Sequence, residues 1–233
     1  MMPAGDGGSR VSTRRGVVHR PARILYGENH TLTIEGFRSV VGRRHKVLAS
    51  VGDGLELVDA ALHLKPDIVA LGISVPRLNG IEAARLIKSK LPETKVLFIT
   101  RHNNPACIQA AFAAGADGYV LKSDGAECIL EAIEKVVAGE VFRSQQLAGE
   151  CTSDLRGPGR MAARSRLTAR ERTILQQVAE GRASKEIAAS LGISAKTVTF
   201  HRENIKRKLG VRTTSGLTKS AMQLGLISPP ESD

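Results

Sequence analysis

The stretch SKEIAASLGISAKTVTFHRENIKRKL, residues 184–209, decides how the C-terminal part of this chain folds. It reads as two short helices around a tight turn. On a helix at about 100° per residue, residues 195–209 place Val198, His201, Ile205 and Leu209 on one face. Lys196, Thr199, Phe200, Glu203 and Arg207 fall on the other. The first face can pack on a core. The second is a row of polar and cationic groups with one aromatic. It is too mixed to bury and too basic to be indifferent to phosphate. The expectation is a helix that enters a DNA major groove.

Working outward, Thr168 with Glu171 forms a capping-box pattern, in which hydroxyl and carboxylate each satisfy a free backbone N–H. A helix should follow to about Ala179 and stop at Gly181. Ser184 can cap the next helix, which Gly192 ends. Ser194 can cap the reader helix, which Gly210 ends. Thr213 or Thr214 can cap a last helix to about Leu224. Val198, Ile205, Leu209, Ile187, Leu191 and Ile174 are its expected core.

Upstream the pattern changes. Short apolar or β-prone runs at 23–27, 46–51, 68–72, 96–100 and 118–121 alternate with helical periods at 31–42, 54–64, 80–90, 105–114 and 125–138. Five strand–helix pairs imply a doubly wound parallel sheet. In such sheets ligand chemistry sits at the carboxyl ends of the strands. The fold class is therefore an α/β doubly wound domain followed by a small all-α helix-turn-helix domain. The expected boundaries are a disordered basic arm at 1–20, the α/β domain at 21–142, a flexible Gly- and Arg-containing linker at 143–166, the helical domain at 167–228 and a tail at 229–233.

Charge divides the same way. The chain carries +11 over 233 residues. Residues 21–150 hold 15 basic and 15 acidic side chains, whereas 151–233 hold 15 basic and 7 acidic. The basic block is the expected polyanion binder. Cys107, Cys128 and Cys151 are odd in number and widely spaced, with no CxxC, which reads as reduced thiols in a cytoplasmic protein. No apolar run approaches the roughly 20 residues of a spanning helix, and the N-terminus has no apolar signal region. No P-loop, GxSxG or metal-ligand spacing is present, so neither an enzyme, a metal nor a cofactor is expected.

These motifs carry a resemblance. Residues 167–227, with LTARERTILQQVAEG and then EIA, LGIS, KTV, His201 and KLGV in register, look like the LuxR-type helix-turn-helix domain. Residues 22–139 resemble a response-regulator receiver. Together they are similar to the NarL/FixJ group of two-domain transcription factors. That implies cytoplasmic, sequence-specific binding of double-stranded DNA as a homodimer, with the fourth helix of the C-terminal domain at the dimer contact. It also implies base contacts from Thr199, Phe200 and Glu203. Lys196, Thr197, Arg202, Lys206 and Arg207, with Lys185 on the preceding helix, are better placed for phosphates, which position the protein without reading sequence. A Phe ring can meet a thymine methyl, and a Glu can accept from cytosine N4. Alternatively Glu203 only pairs with Arg207 one turn on. His201 reads as a packed residue.

The receiver resemblance is incomplete. Thr100 and Lys122 stand where the family has a Thr/Ser ending the fourth strand and a Lys ending the fifth, and Tyr119 stands at its switch aromatic. PDIVALGISVPRLNG aligns with the third strand and its loop, but Gly72 occupies the phosphoacceptor position, and Glu28 and Asn29 replace the acidic pair. Phosphoryl transfer needs a carboxylate nucleophile, and Mg²⁺ wants several oxygen ligands. Asp67 lies roughly 16 Å back along the strand at about 3.3 Å per residue, and the Ser74 hydroxyl gives no acyl phosphate. Control without aspartyl phosphorylation is expected: constitutive, or modulated by a small-molecule or protein ligand at the receiver-like domain. Two readings of the vacated site stay open. Thr100 and Lys122 persist as fold elements, with Lys122 paired to Glu28, or the pocket takes a ligand. The alternatives for the whole chain are a phosphoswitch with a non-standard acceptor and a receiver-like domain that docks a protein partner.

Overall fold

The computed structural model describes residues 20–147 and 167–227. The basic arm, most of the linker with Cys151, and the tail lie outside the described residues.

β-Branched and apolar runs form a parallel sheet. Its strands are β1 (Arg23–Gly27), β2 (Lys46–Val51), β3 (Ile68–Leu71), β4 (Lys95–Thr100), β5 (Gly118–Leu121) and β6 (Phe142–Arg143), in the order β2-β1-β3-β4-β5-β6. Every neighbouring pair is parallel. Both faces are covered, as parallel strands require. Helices α2 (Gly54–Leu64), α3 (Gly80–Lys90) and α4 (Pro105–Ala113) bury Leu57, Ala83, Ile87 and Ala111 on one face. Helices α1 (Thr31–Val41) and α5 (Gly125–Val137) bury Phe37, Val41, Ile133 and Val136 on the other.

The caps follow local chemistry. Asp53, Asn79 and Asn104 each accept a backbone N–H at the start of α2, α3 and α4. Gly80 is fixed by close approach, since a Cβ there would sit 2.0 Å from the Gly72 carbonyl oxygen. That contact folds the loop after β3 back over the strand end.

The C-terminal domain has helices α6 (Ala169–Ala179), α7 (Ser184–Leu191), α8 (Ala195–Leu209) and α9 (Thr214–Gln223) around Ile174, Leu175, Ile187, Val198, Ile205 and Leu217. The Thr168–Glu171 capping box forms, Ser194 caps α8, and Thr213 caps α9.

Three expectations need correction. Ser184 is the first residue of α7, not its cap; the Glu186 carboxylate instead accepts the Ala183 N–H at 2.8 Å, and the Ser184 hydroxyl accepts from Arg202 at 3.1 Å. Residues 143–147, expected in the linker, continue the α/β domain: Arg143 lies in β6 and Leu147 is buried in the core. A two-residue strand is too short to show a period. Gly72 follows β3 rather than ending it.

Candidate nucleic-acid interface and strand-end site

The carboxyl ends of β1, β3, β4 and β5 converge, bringing Glu28, Gly72, Thr100 and Lys122 around one small recess. Glu28 is 4% exposed, and both its oxygens are taken. Its Oε2 accepts from Lys122 Nζ at 2.5 Å. Its Oε1 accepts the backbone N–H groups of Asn29 and His30, each at 3.1 Å, and bonds His30 Nδ1 at 2.7 Å. Burial pushes the Glu28 carboxyl up, but the hydrogen bonds from Lys122 and His30 and the Lys122 charge outweigh it and hold it below its ordinary value. Asn29 is exposed beside it.

Thr100 is buried and its hydroxyl accepts the His102 N–H at 3.2 Å. Tyr119 is fully buried, and its hydroxyl donates to the His102 carbonyl at 2.7 Å. Ser74 Oγ and His102 Nε2 share a 2.8 Å hydrogen bond across the rim. Burial, then the nearby Arg101 charge, pushes the His102 ring down, toward the neutral form. His102 was not legible as a member of this group, because nothing in its spacing marks a loop residue that folds back onto Thr100. The recess itself holds only about 20 Å³. A Cβ built on Gly72 would meet its neighbours at 3.8–4.0 Å, among them Glu28 Oε2, so a methyl group would fit there. Among the described residues, no three His, Cys, Asp or Glu side chains gather as a metal site. A Mg²⁺ ion, which the family resemblance implies, does not fit either: the one carboxylate lining the recess is already bound by an ammonium, an imidazole and two amides.

The reader helix is arranged in the opposite way. Val198 and Ile205 are buried, while Lys196, Thr199, Phe200, Glu203 and Arg207 are exposed, Phe200 at 64%. Lys185 is exposed on α7, and Thr197, Arg202 and Lys206 are half-buried at the edges. The Phe200 ring meets the His201 ring edge-on. Glu203 does not pair with Arg207. Its carboxylate accepts from Lys206 at 2.9 Å, and Arg207 donates to Asn204 at 2.8 Å. The i+3 partner was the nearer one, and both spacings share a helix face. His201 is half-buried.

Lys208, unremarked in the sequence, donates to both oxygens of Glu171 at 2.7 and 2.8 Å and ties α8 to α6. Burial pushes the Glu171 carboxyl up, but the bonds from Lys208 and Thr168 hold it below its ordinary value.

The two domains meet through α6. Arg172 donates to Glu82 of α3 at 2.8 Å, Gln176 to the Val75 carbonyl at 2.6 Å and Gln177 to the Arg77 carbonyl at 3.0 Å. All three engage α3 or the loop leading from Gly72 to it. Gly225, at φ +69°, lies against Cys107 of α4 so closely that a Cβ there would be 2.4 Å from its sulfur. The signal for this seam was present in adjacent glutamines at core-facing positions of α6, both buried. Their partners were not legible. No helix among the described residues is long and apolar enough to cross a membrane.

Comparison with known proteins fits this division. Residues 24–134 match the family described as response regulator receiver domain, and residues 165–221 match bacterial regulatory proteins of the luxR family. The transcriptional regulatory protein MctR of Rhizobium johnstonii is 34% identical over 88% of this chain and 95% of its own length. A LuxR-family two-component response regulator from Aurantimonas is 34% identical over 56% of this chain and 95% of its own, with a TM-score of 0.55. RcsB of Salmonella typhimurium, at 22% identity, shares the fold over 88% of this chain and 99% of its own, with a TM-score of 0.63. Such relatives are transcriptional regulators, not enzymes. The chain belongs to the response regulators that join a receiver domain to a LuxR-family helix-turn-helix domain, and it is a DNA-binding transcriptional regulator.

Proposed function

We propose that this regulator reads specific DNA sequences in the cytoplasm as a homodimer, and that its control does not run through aspartyl phosphate. One observation carries the second half. Glu28, the carboxylate that lines the strand-end recess, has both oxygens bound by Lys122, His30 and two backbone amides, and the residue after β3 is Gly72. The receiver is on this reading degenerate: among the described residues lining the recess, no carboxylate stands after β3 to accept a phosphoryl group, and Glu28 is not free to hold the metal that would assist its transfer. Control then falls to dimerisation, to a small-molecule or protein ligand, or to synthesis alone.

The DNA half rests on the exposed Thr199, Phe200 and Glu203 on α8, flanked by Lys196, Thr197, Arg202, Lys206, Arg207 and Lys185. Base-edge readers lie at the centre of the face and phosphate contacts at its margins. One such helix covers few base pairs, so two half-sites about one helical turn apart are expected. Two RcsB dimers have been seen on two parallel DNAs, which supports dimerisation here by analogy of fold.

The test is incubation with acetyl phosphate and Mg²⁺. Intact mass and affinity for DNA should both stay unchanged. An added phosphoryl group released by alkali would overturn the proposal, and a monomer on DNA in sedimentation would overturn its dimeric part.

A further inference from the structure

The reader helix is longer than a major groove is wide. At 15 residues and about 1.5 Å per residue, α8 runs roughly 22 Å, against a groove about 12 Å wide. Recognition helices meet base edges with their earlier residues, which is where Thr199, Phe200 and Glu203 stand. Gly210 lies about 10 Å further along the axis than Glu203. The last turn of α8 then comes out over a sugar-phosphate backbone. That end carries the negative pole of the helix, which repels a phosphate. Contact there needs cations that are not already committed.

The cations of the last turn are committed in differing degrees. Lys208 gives its ammonium to both oxygens of Glu171. Lys206 bonds Glu203 at 2.9 Å, and Arg207 bonds the neutral Asn204 at 2.8 Å. Arg212, just past the helix, is different. It is exposed, and among the described residues it has neither a hydrogen bond nor an ion pair. Gly210, at φ +69°, and the Val211 N–H, bonded back to the Lys206 carbonyl at 3.0 Å, turn the chain there. The turn brings Arg212 beside the reader face. It lines one shallow concavity of about 450 Å³ with Glu203, Lys206, Arg207, Gly210 and Val211. Three cations there stand against one carboxylate, a surplus of +2 once Lys206 has neutralised Glu203.

We infer that Arg212 grips a phosphate of the DNA backbone at the C-terminal end of α8, beyond the base pairs that Thr199, Phe200 and Glu203 meet. The inference rests on the reading of α8 as the helix in the groove. A guanidinium presents a planar fork of donors that matches two phosphate oxygens, and this one has no bond to break before it can do so. Such a contact fixes how far α8 slides along its own axis. It carries no base preference of its own.

The experiment measures the full chain on a DNA site recovered by selection on random sequence, by fluorescence anisotropy between 50 and 200 mM salt. Arg212→Ala should lower affinity roughly tenfold at 50 mM, as loss of a charged hydrogen bond does. Its salt dependence should be shallower by about one unit of log–log slope for each bound protomer, so the gap from wild type narrows about fourfold per protomer by 200 mM. Base preference should be unchanged. Arg212→Lys should keep the wild-type slope. Arg43→Ala, which removes an exposed charge from the receiver, should change nothing. Ethylation of one backbone phosphate per half-site should weaken wild type and leave Arg212→Ala unaffected. An unchanged slope in Arg212→Ala overturns the inference. So does an equal change in Arg43→Ala, a slope lost in Arg212→Lys, or one ethylation pattern shared by wild type and Arg212→Ala. Failure of the underlying reading looks different: wild type would then show no preference for any DNA sequence.

Discussion

Two charged regions of this molecule treat their carboxylates in opposite ways. At the strand ends Glu28 is 4% exposed, with Lys122, His30 and two backbone amides around it. On α8 Glu203 is 65% exposed, with a single partner, Lys206, one turn away. A carboxylate taken out of water must be satisfied where it sits, and removing one partner leaves a charge stranded. A carboxylate on a helix surface keeps its water, and its ion pair contributes little. The first region spends its charge on itself. The second leaves it available to a polyanion or a base edge.

Lys122→Met tests the sealed region and carries the largest expected effect. Methionine keeps the aliphatic stem and deletes the ammonium. Glu28 retains His30 and its two amides, so the loss should lie below the roughly 3–5 kcal/mol of a fully stranded buried charge, at about 2–3 kcal/mol. Urea melts at neutral pH would measure it, and an unchanged midpoint would contradict the arrangement. The effect has a pH sign. The folded Glu28 carboxyl lies below its ordinary value, so its contribution is full above the unfolded value of about 4.3 and is lost as pH falls through the lowered folded one. Wild type and Lys122→Met should therefore converge in stability in acid.

Glu203→Ala tests the open region and comes next. Stability should stay within about 0.5 kcal/mol. What should change is preference: one base position in the site should relax, with roughly 1–3 kcal/mol of discrimination lost. Selection on random DNA reads this directly, and an unchanged preference at every position would mean that Glu203 reads nothing.

The contrast also explains what was legible. Strand–helix alternation gave five of the six described strands and all five helices of the receiver domain to within a residue or two, because each element is long enough to show its period. Capping chemistry located Thr168, through its pairing with Glu171, and Ser194, and it narrowed the last cap to Thr213 or Thr214, of which Thr213 serves. It failed at Ser184, which lies inside α7, while Ala183 holds the cap position and its N–H donates to the Glu186 carboxylate. At the strand ends Glu28, Lys122 and Thr100 could be placed together, since parallel topology brings carboxyl ends to one edge. Their companions could not. His102 and Ser74 sit in loops whose paths are set by contacts such as Gly80 against the Gly72 carbonyl, and no periodicity encodes those. The seam between domains was hidden for the same reason. Gln176 and Gln177 bond backbone carbonyls about 100 residues away, and a carbonyl carries no sequence identity.

Lys206→Ala has the smallest expected effect and the most to say about the reader face. It should lower affinity on every DNA sequence and make the salt dependence shallower by about one unit of log–log slope, as loss of one phosphate contact does. Stability should barely move, because the pair with Glu203 is a surface one. The pair nonetheless raises an ambiguity: Lys206 is held at 2.9 Å by the residue assigned to base reading. Glu203 could act only by aiming that ammonium. The double variant separates the roles. If Glu203 merely positions Lys206, then Glu203→Ala adds nothing once Lys206 is gone, and preference is the same in single and double variants. If Glu203 reads a base, its effect on preference survives in the Lys206→Ala background while the salt slope does not change again, and the two substitutions add.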